Sequence, residues 1–223
     1  STDIKTAVDT PVNKNNMSLN IDKDTTFWKG TTQSVALVDG VHESDFANAI
    51  TKVNSAEANT RIDMVADFSI TANVTLKNTN GKNIVWDGNG HTVTMKKPIL
   101  VYQEKGKVEF KDFKVTHAND ILFRIGNKNT SYTEKVTVNL NNIDIDSTSN
   151  QTKGLIQAGF GAMTLDLNMT GVKLVWKPSS THAKGAITVG NADLTSATTV
   201  NLAMTDCELD TTGANEGQAV YAE

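Results

Sequence analysis

The sequence predicts an all-β protein folded as a right-handed parallel β-helix, in which three short strands make up each turn, or rung. Three observations support this prediction. The 223-residue chain is rich in Asn, Thr, Val and Asp, and its β-branched runs are separated by Asn, Gly or Asp, as in all-β proteins. One strand–turn–strand pattern recurs along the chain, followed by a third strand. An amphipathic helix precedes the first repeat.

The repeat consists of apolar, polar, apolar and polar residues followed by a turn residue. Its five copies are IVWDG, VEFKD, VNLNN, LNMTG and LAMTD, starting at Ile84, Val108, Val138, Leu167 and Leu202. The starts lie 24 to 35 residues apart, a spacing typical of solenoids. Antiparallel hairpins do not require one signature to return at this interval, so the pattern favours stacked rungs.

The turn residues are types that tolerate a left-handed backbone or bond their own main chain. They are Gly88, Asp112, Asn142, Gly171 and Asp206. Apolar alternation resumes after each turn, so two strands share one inward face. A third strand follows in ILFRIG, GLIQAG, AITVG and, near the end, AVYA.

Stacked rungs should place equivalent side chains in columns along the interior. The first predicted column contains Trp86, Phe110, Leu140, Met169 and Met204. The second contains Phe113, Ile143, Val172 and Cys207. Because the column neighbours of Cys207 are apolar, we predict a buried apolar side chain rather than a nucleophile.

A capping helix is predicted in SDFANAITKVNSAEA, where Phe46, Ala49, Ile50 and Val53 fall at helical spacing. Ser44 would be the N-cap, and Asp45 suits the positive end of the helix. The helix would cover open strand edges at the N-terminal end of the stack. The segment RIDMVADFSITANVTL is the predicted first rung.

The domain prediction is a linker or loosely attached segment at residues 1–40 and a β-helix domain at residues 41–223. The ending GQAVYAE stops inside a third strand without a capping element. We therefore expect the β-helix to be truncated at its C-terminal end.

Composition excludes several functions. The net charge of −4 and pI near 5.6 provide no basic field for nucleic acid. No apolar stretch approaches the roughly 20 residues of a membrane span, and a single cysteine excludes an internal disulfide framework. We expect a monomer.

The N-terminal motifs resemble the pectate-lyase-like adhesive domain of Gram-positive cell-surface adhesins, including serine-rich repeat proteins. The family's F-x-x-A-I helix stretch is matched by Phe46, Ala49 and Ile50. Its I-x-L-x-x-D-I strand is matched by Ile62, Met64, Asp67 and, after one inserted residue, Phe68 or Ile70. Its I-D-G-x-G-H-T-I rung is matched by Trp86 to Gly88 and Gly90 to Val93. The match covers residues 41–95.

This resemblance implies a secreted module anchored to the bacterial cell wall through regions outside this segment. It would bind host or plant polysaccharide, acidic polysaccharide included, along the flank of the solenoid without turnover. A purely structural spacer or assembly domain of a surface layer is a second alternative to the adhesin.

The first alternative is a Ca²⁺-dependent polysaccharide lyase, which needs clustered carboxylates and a basic group such as Arg. The chain's arginines are Arg61, beside the predicted cap, and Arg124, facing outward from a third strand. A weak Ca²⁺ candidate consists of Asp144, Asp146, Glu208 and Asp210. Lys173 interrupts this column, so we predict no cofactor and no enzyme. His91, in the DGNGH turn, is assigned a structural role.

The predicted ligand-binding residues fall into two groups. Arg124, Gln157 and Thr188 form an outward row on third strands, and the loop VWKPSSTHAK carries Trp176, Lys177, His182 and Lys184. The Trp176 ring could alternatively pack over the rung below, since large aromatics are mostly buried. If His182 contacts an acidic polysaccharide, binding should strengthen as the pH falls through about 6.5.

Overall fold

A computed structural model describes residues 34–130, 132–150, 154–178, 185–190, 197–212 and 218–222. Helix α1 spans Phe46–Ser55. The strands in chain order are β1 Ala36–Val38, β2 Val41–Glu43, β3 Thr60–Met64, β4 Phe68–Ile70, β5 Val74–Asn78, β6 Ile84–Asp87, β7 Thr92–Met95, β8 Ile99–Gln103, β9 Gly106–His117, β10 Phe123–Ile125, β11 Val136–Ser147, β12 Ile156–Ala158, β13 Thr164–Thr170, β14 Lys173–Trp176, β15 Ile187–Val189, β16 Thr199–Thr205, β17 Glu208–Asp210 and β18 Val220–Ala222. The predicted all-β class is confirmed.

Two sheets are formed by these strands. Within the described residues, the first sheet has twelve strands and contains the path β3-β6-β9-β11-β13-β16, and the second has six, in the order β5-β8-β10-β12-β15-β18. Neighbours along both paths are parallel. The chain alternates between the sheets, so each long-range pairing joins residues from successive repeats.

The first predicted interior column is confirmed by the strand register. Its members are Trp86, Phe110, Leu140, Met169 and Met204, which pair in that order. The first four are almost completely buried, whereas Met204, on the last strand of the path, is 45% exposed. In the second column Phe113, Ile143 and Val172 are buried, but Cys207 is only half-buried.

The predicted turns adopt a left-handed backbone at four of five positions. Asp112, Asn142, Asp206 and Gly171 have φ of 57°, 52°, 52° and 61°. The prediction was wrong at Gly88, because the two residues that follow it, Asn89 and Gly90, have the positive φ values there. Gly88 is required for space instead, since a Cβ would lie 2.1 Å from the Cβ of Phe113.

Helix α1 packs on β1, β3 and β5, and its buried residues are Ala49, Ile50 and Val53. The Phe46 ring centroid lies 4.8 Å from that of Trp86, so the helix contributes to the core as predicted. The predicted N-cap Ser44 was wrong. Asp45 is the N-cap, and its carboxylate accepts a hydrogen bond from the Ala47 backbone N–H at 2.8 Å.

A short antiparallel hairpin spans residue 40, the boundary between the two predicted parts of the chain. Strand β1 pairs with β2 and with β3, so Ala36–Val38 belongs to the first sheet. Three-residue strands are too short to show periodicity, but the Asp39-Gly40 pair is a typical hairpin signal. Residues 1–33 lie outside the described part. The one helix that the structure describes is too short to cross a membrane.

Candidate functional site

The predicted third-strand row is assembled but covered. Arg124 pairs in register with Gln157, and Gln157 pairs with Thr188. Gln157 and Thr188 are only 5% and 1% exposed. Arg124 Nε donates to Gln157 Oε1 at 2.9 Å, and its guanidinium carbon lies 4.6 Å from the Phe160 ring centroid. The prediction that this row is an exposed flank was wrong.

The cover includes backbone from a neighbouring segment. The Cα of Gly154 approaches Thr188 so closely that an added Cβ would lie 2.8 Å from its Oγ1. The backbone at Gly154 therefore helps to bury Thr188.

The prediction that Trp176 contacts a ligand was wrong. This side chain has no exposed surface, and its Nε1 donates to the Ser149 carbonyl oxygen at 2.8 Å. Packing is thus the correct alternative, and a buried ring cannot stack on a sugar. The strand alternation that buries Leu174 also turns Trp176 inward. Lys177 is exposed, while His182 and Lys184 lie outside the described residues.

The weak Ca²⁺ candidate does not converge. Lys173 stands between Asp144 and Glu208 in the strand register, and its Nζ lies 3.3 Å from Glu208 Oε2. Asp210 accepts hydrogen bonds from Thr212 Oγ1 and backbone N–H, which lower the pKa of its carboxyl. Within the described ranges, no three His, Cys, Asp or Glu side chains group closely enough to hold a metal ion.

A different surface carries a group of open charges. A hollow of about 470 Å³ lies on the outer face of the second strands of successive rungs, which here are β7, β14 and the later halves of β9 and β11. Its lining residues are Thr92, Lys114, Val115, Thr116, Asp144, Ile145, Asp146, Lys173, Val175 and Lys177. An adjoining hollow of about 300 Å³, beside the bends, shares Lys114 and Asp144. Together the two form one depression, which we call the charged groove.

Strand alternation and register build the charged groove. Lys114 and Thr116 alternate with buried Val115 on β9, and Asp144 and Asp146 alternate with buried Ile145 on β11. Parallel pairing sets Lys114 beside Asp144, and Asp144 beside Lys173 on β14. Charges of alternating sign therefore occupy adjacent strands, roughly 4.8 Å apart.

Four of these charges form no ion pair in the described part of the chain, although the charge of Lys177 helps to lower the pKa of the Asp210 carboxyl. Neither an ion pair nor a side-chain hydrogen bond engages Lys114, Lys177, Asp144 or Asp146 among these residues, and all four are exposed. Lys173, by contrast, pairs with Glu208. The groove thus presents two ammonium groups and two carboxylates to solvent.

Arg61, Arg124 and His91 have structural roles. Arg61 pairs with Asp63 at 2.6 Å and Asp87 at 2.5 Å, and Arg124 belongs to the covered row. Neither lines the charged groove. The His91 ring lies 3.1 Å from Asp67 Oδ1, which also accepts the Thr92 N–H, consistent with the turn-stabilising role predicted for it.

His117 is buried on the inner side of the groove's strands. Its Nδ1 lies 2.9 Å from Ser147 Oγ, and its Nε2 has no hydrogen-bond partner. Burial lowers the pKa of His117 to about 4, so the ring is neutral at physiological pH. Because it is only 1% exposed, it does not face a ligand.

Sequence reasoning identified Asp144, Asp146 and Lys173 but missed Lys114. The signal was present, since Lys114 is the outward residue one repeat before Asp144. Comparisons with protein-family models, with curated proteins and with solved structures each find no match to this chain.

Proposed function

We propose that this domain is a right-handed parallel β-helix that binds polysaccharide without turnover, as part of a surface adhesin of a Gram-positive bacterium. Parallel pairing between successive repeats in two sheets supports the β-helix. The adhesin assignment rests on the motif resemblance over residues 41–95, and the charged groove is the proposed binding surface.

The open charges of the groove are the observation that carries this proposal. An extended polysaccharide needs a long surface with polar groups at regular intervals, and the groove crosses β7, β9, β11 and β14. Hydroxyls of Thr92 and Thr116 add neutral hydrogen-bonding groups, and Val175 adds an apolar contact. Such a combination of a few polar groups with apolar contact is usual in ligand sites.

The arginine positions favour binding over the lyase alternative. A lyase needs a strongly basic group beside the sugar ring to remove a proton. Both arginines lie outside the groove and are held by Asp63 and Asp87 or by Gln157.

The test combines retention and turnover measurements. We expect the protein to be retained on a glycan array, and Lys114→Gln to weaken that retention. Lys128→Gln is the matched control, because Lys128 is an exposed lysine outside the groove. Polygalacturonate should yield no ultraviolet absorbance from unsaturated uronides, with or without Ca²⁺.

Three outcomes separate the candidate functions. Retention without turnover supports the binding module. A rise in ultraviolet absorbance from unsaturated uronides would show that the protein is a lyase instead. Absence of both retention and turnover would leave the structural spacer.

A further inference from the structure

We propose that the charged groove recognises a zwitterionic polysaccharide, one whose repeat unit carries both an ammonium and a carboxylate or phosphate group. This inference rests on the proposed function and adds the ligand class. It follows from the sign, the spacing and the unpaired state of the groove's charges.

The signs alternate along one row of outward side chains. Lys114, Asp144 and Lys173 are neighbours in register on β9, β11 and β14. With strands about 4.8 Å apart, the backbone positions of the two lysines are roughly 10 Å apart, with that of Asp144 between them. This distance is comparable to the length of an extended disaccharide, so a repeating disaccharide with one charge of each sign would stay in register with the row.

The unpaired charges are balanced in number. Lys114 and Lys177 oppose Asp144 and Asp146, and none of the four has an ion-pair partner among the described residues. A purely anionic polymer would lie against two carboxylates, and a purely cationic polymer against two ammonium groups. Repulsion between like charges weakens binding, so the groove discriminates against polymers that carry a single sign of charge. A ligand with both signs pairs all four charges.

The protein does not neutralise these charges internally, although Lys114 and Asp144 are adjacent. Exposed ion pairs gain little in water, since holding two long side chains together costs conformational entropy. A polymer that contacts several of these charged side chains at once holds all of them in place in one binding event and excludes water from them. Lys173, the third member of the row, also lines the groove but shares its charge with Glu208, so a ligand gains new partners chiefly at the four charges that form no ion pair.

Three related polymers provide the test. Hyaluronan carries one carboxylate per disaccharide, chitosan oligosaccharides carry ammonium groups, and partly de-N-acetylated hyaluronan carries both. Isothermal titration at low ionic strength and about pH 6 keeps these groups charged. We expect de-N-acetylated hyaluronan to bind at least about tenfold more tightly than either of the other polymers.

Paired substitutions show which side chains produce the preference over hyaluronan and which produce the preference over chitosan. Asp144→Asn with Asp146→Asn should abolish the preference over hyaluronan, because no carboxylate remains to select the ammonium. Lys114→Gln with Lys177→Gln should abolish the preference over chitosan. Glu57→Gln and Lys128→Gln, exposed substitutions outside the groove, should leave both preferences intact.

The outcomes test the zwitterionic ligand class separately from polysaccharide binding itself. Equal affinity for hyaluronan and its de-N-acetylated form would overturn the zwitterionic ligand class. So would retention of other glycans with Lys114 dependence but no advantage for the zwitterionic probe, and in both cases polysaccharide binding would stand. Absence of retention of any glycan would overturn the proposed function as well.

Discussion

Two outward faces of this protein follow from the same strand alternation but differ in what covers them. The charged groove on the second strands exposes Lys114, Asp144 and Asp146. The third-strand face carries an equally polar row, yet Gln157 and Thr188 are buried there. Alternation determines the direction of a side chain, but it does not determine whether solvent reaches that side chain.

The two faces therefore give different roles to their polar residues. Polar residues under the cover should contribute to stability, and those in the groove should contribute to binding. Substitutions can therefore be ordered by how strongly they affect folding.

The largest loss of stability is expected for Trp176→Ala. The ring is fully buried at the end of β14, so its removal should cost about 3 to 5 kcal/mol of unfolding free energy. Chemical denaturation with tryptophan fluorescence or circular dichroism measures this. Trp176→Phe, which keeps most of the volume and loses the bond to Ser149, should cost less. Unchanged stability in Trp176→Ala would show that the ring is not in the core.

A comparable loss is expected on acidification, through His117. Its pKa is about 4 in the fold and about 6.5 when unfolded. The neutral ring is favoured by the native state, so stability is complete above pH 6.5 and falls as the pH drops towards 4. The loss should reach roughly 3 kcal/mol, since each pKa unit is worth about 1.4 kcal/mol.

Denaturation midpoints between pH 7 and 4 measure this dependence. His117→Gln should flatten the slope over that interval even if its stability at pH 7 is lower. An equally steep slope in the variant would assign the acid sensitivity to other groups.

The covered row should show an intermediate effect. Arg124→Met removes the Nε bond to the buried amide oxygen of Gln157 and the contact with Phe160. We expect a loss of about 1 to 3 kcal/mol, because a buried acceptor loses its donor. Polysaccharide retention per folded molecule should not change. If Arg124→Met lost polysaccharide retention without losing stability, Arg124 would belong to the binding site.

Short-range patterns in the sequence predicted the all-β class and the strand register well. Alternation and the spacing of turn residues were sufficient to place Trp86, Phe110, Leu140, Met169 and Met204 in one column, since each repeat follows the same local rule. The hairpin at β1 and β2 was missed because strands of three residues show almost no periodicity.

The candidate site was predicted less well, because the exposure of a side chain depends on what packs over it as well as on its direction. Nothing in the local sequence indicates that Gln157 and Thr188 are only 5% and 1% exposed. Lys114 was overlooked for a different reason. A single lysine on a strand is unremarkable in the sequence, and its significance appears when the register sets it beside Asp144.

The smallest effect on stability, and the sharpest contrast with the covered row, is expected for Lys114→Gln. The side chain is exposed and has no ion pair among the described residues, so the unfolding free energy should change by less than about 0.5 kcal/mol. Polysaccharide binding should nevertheless weaken about tenfold, since one charge of the contact set is lost. Denaturation and titration of the same preparation measure both quantities. Normal binding by this variant would show that the binding surface lies outside the groove, because the substitution breaks no ion pair among the described residues.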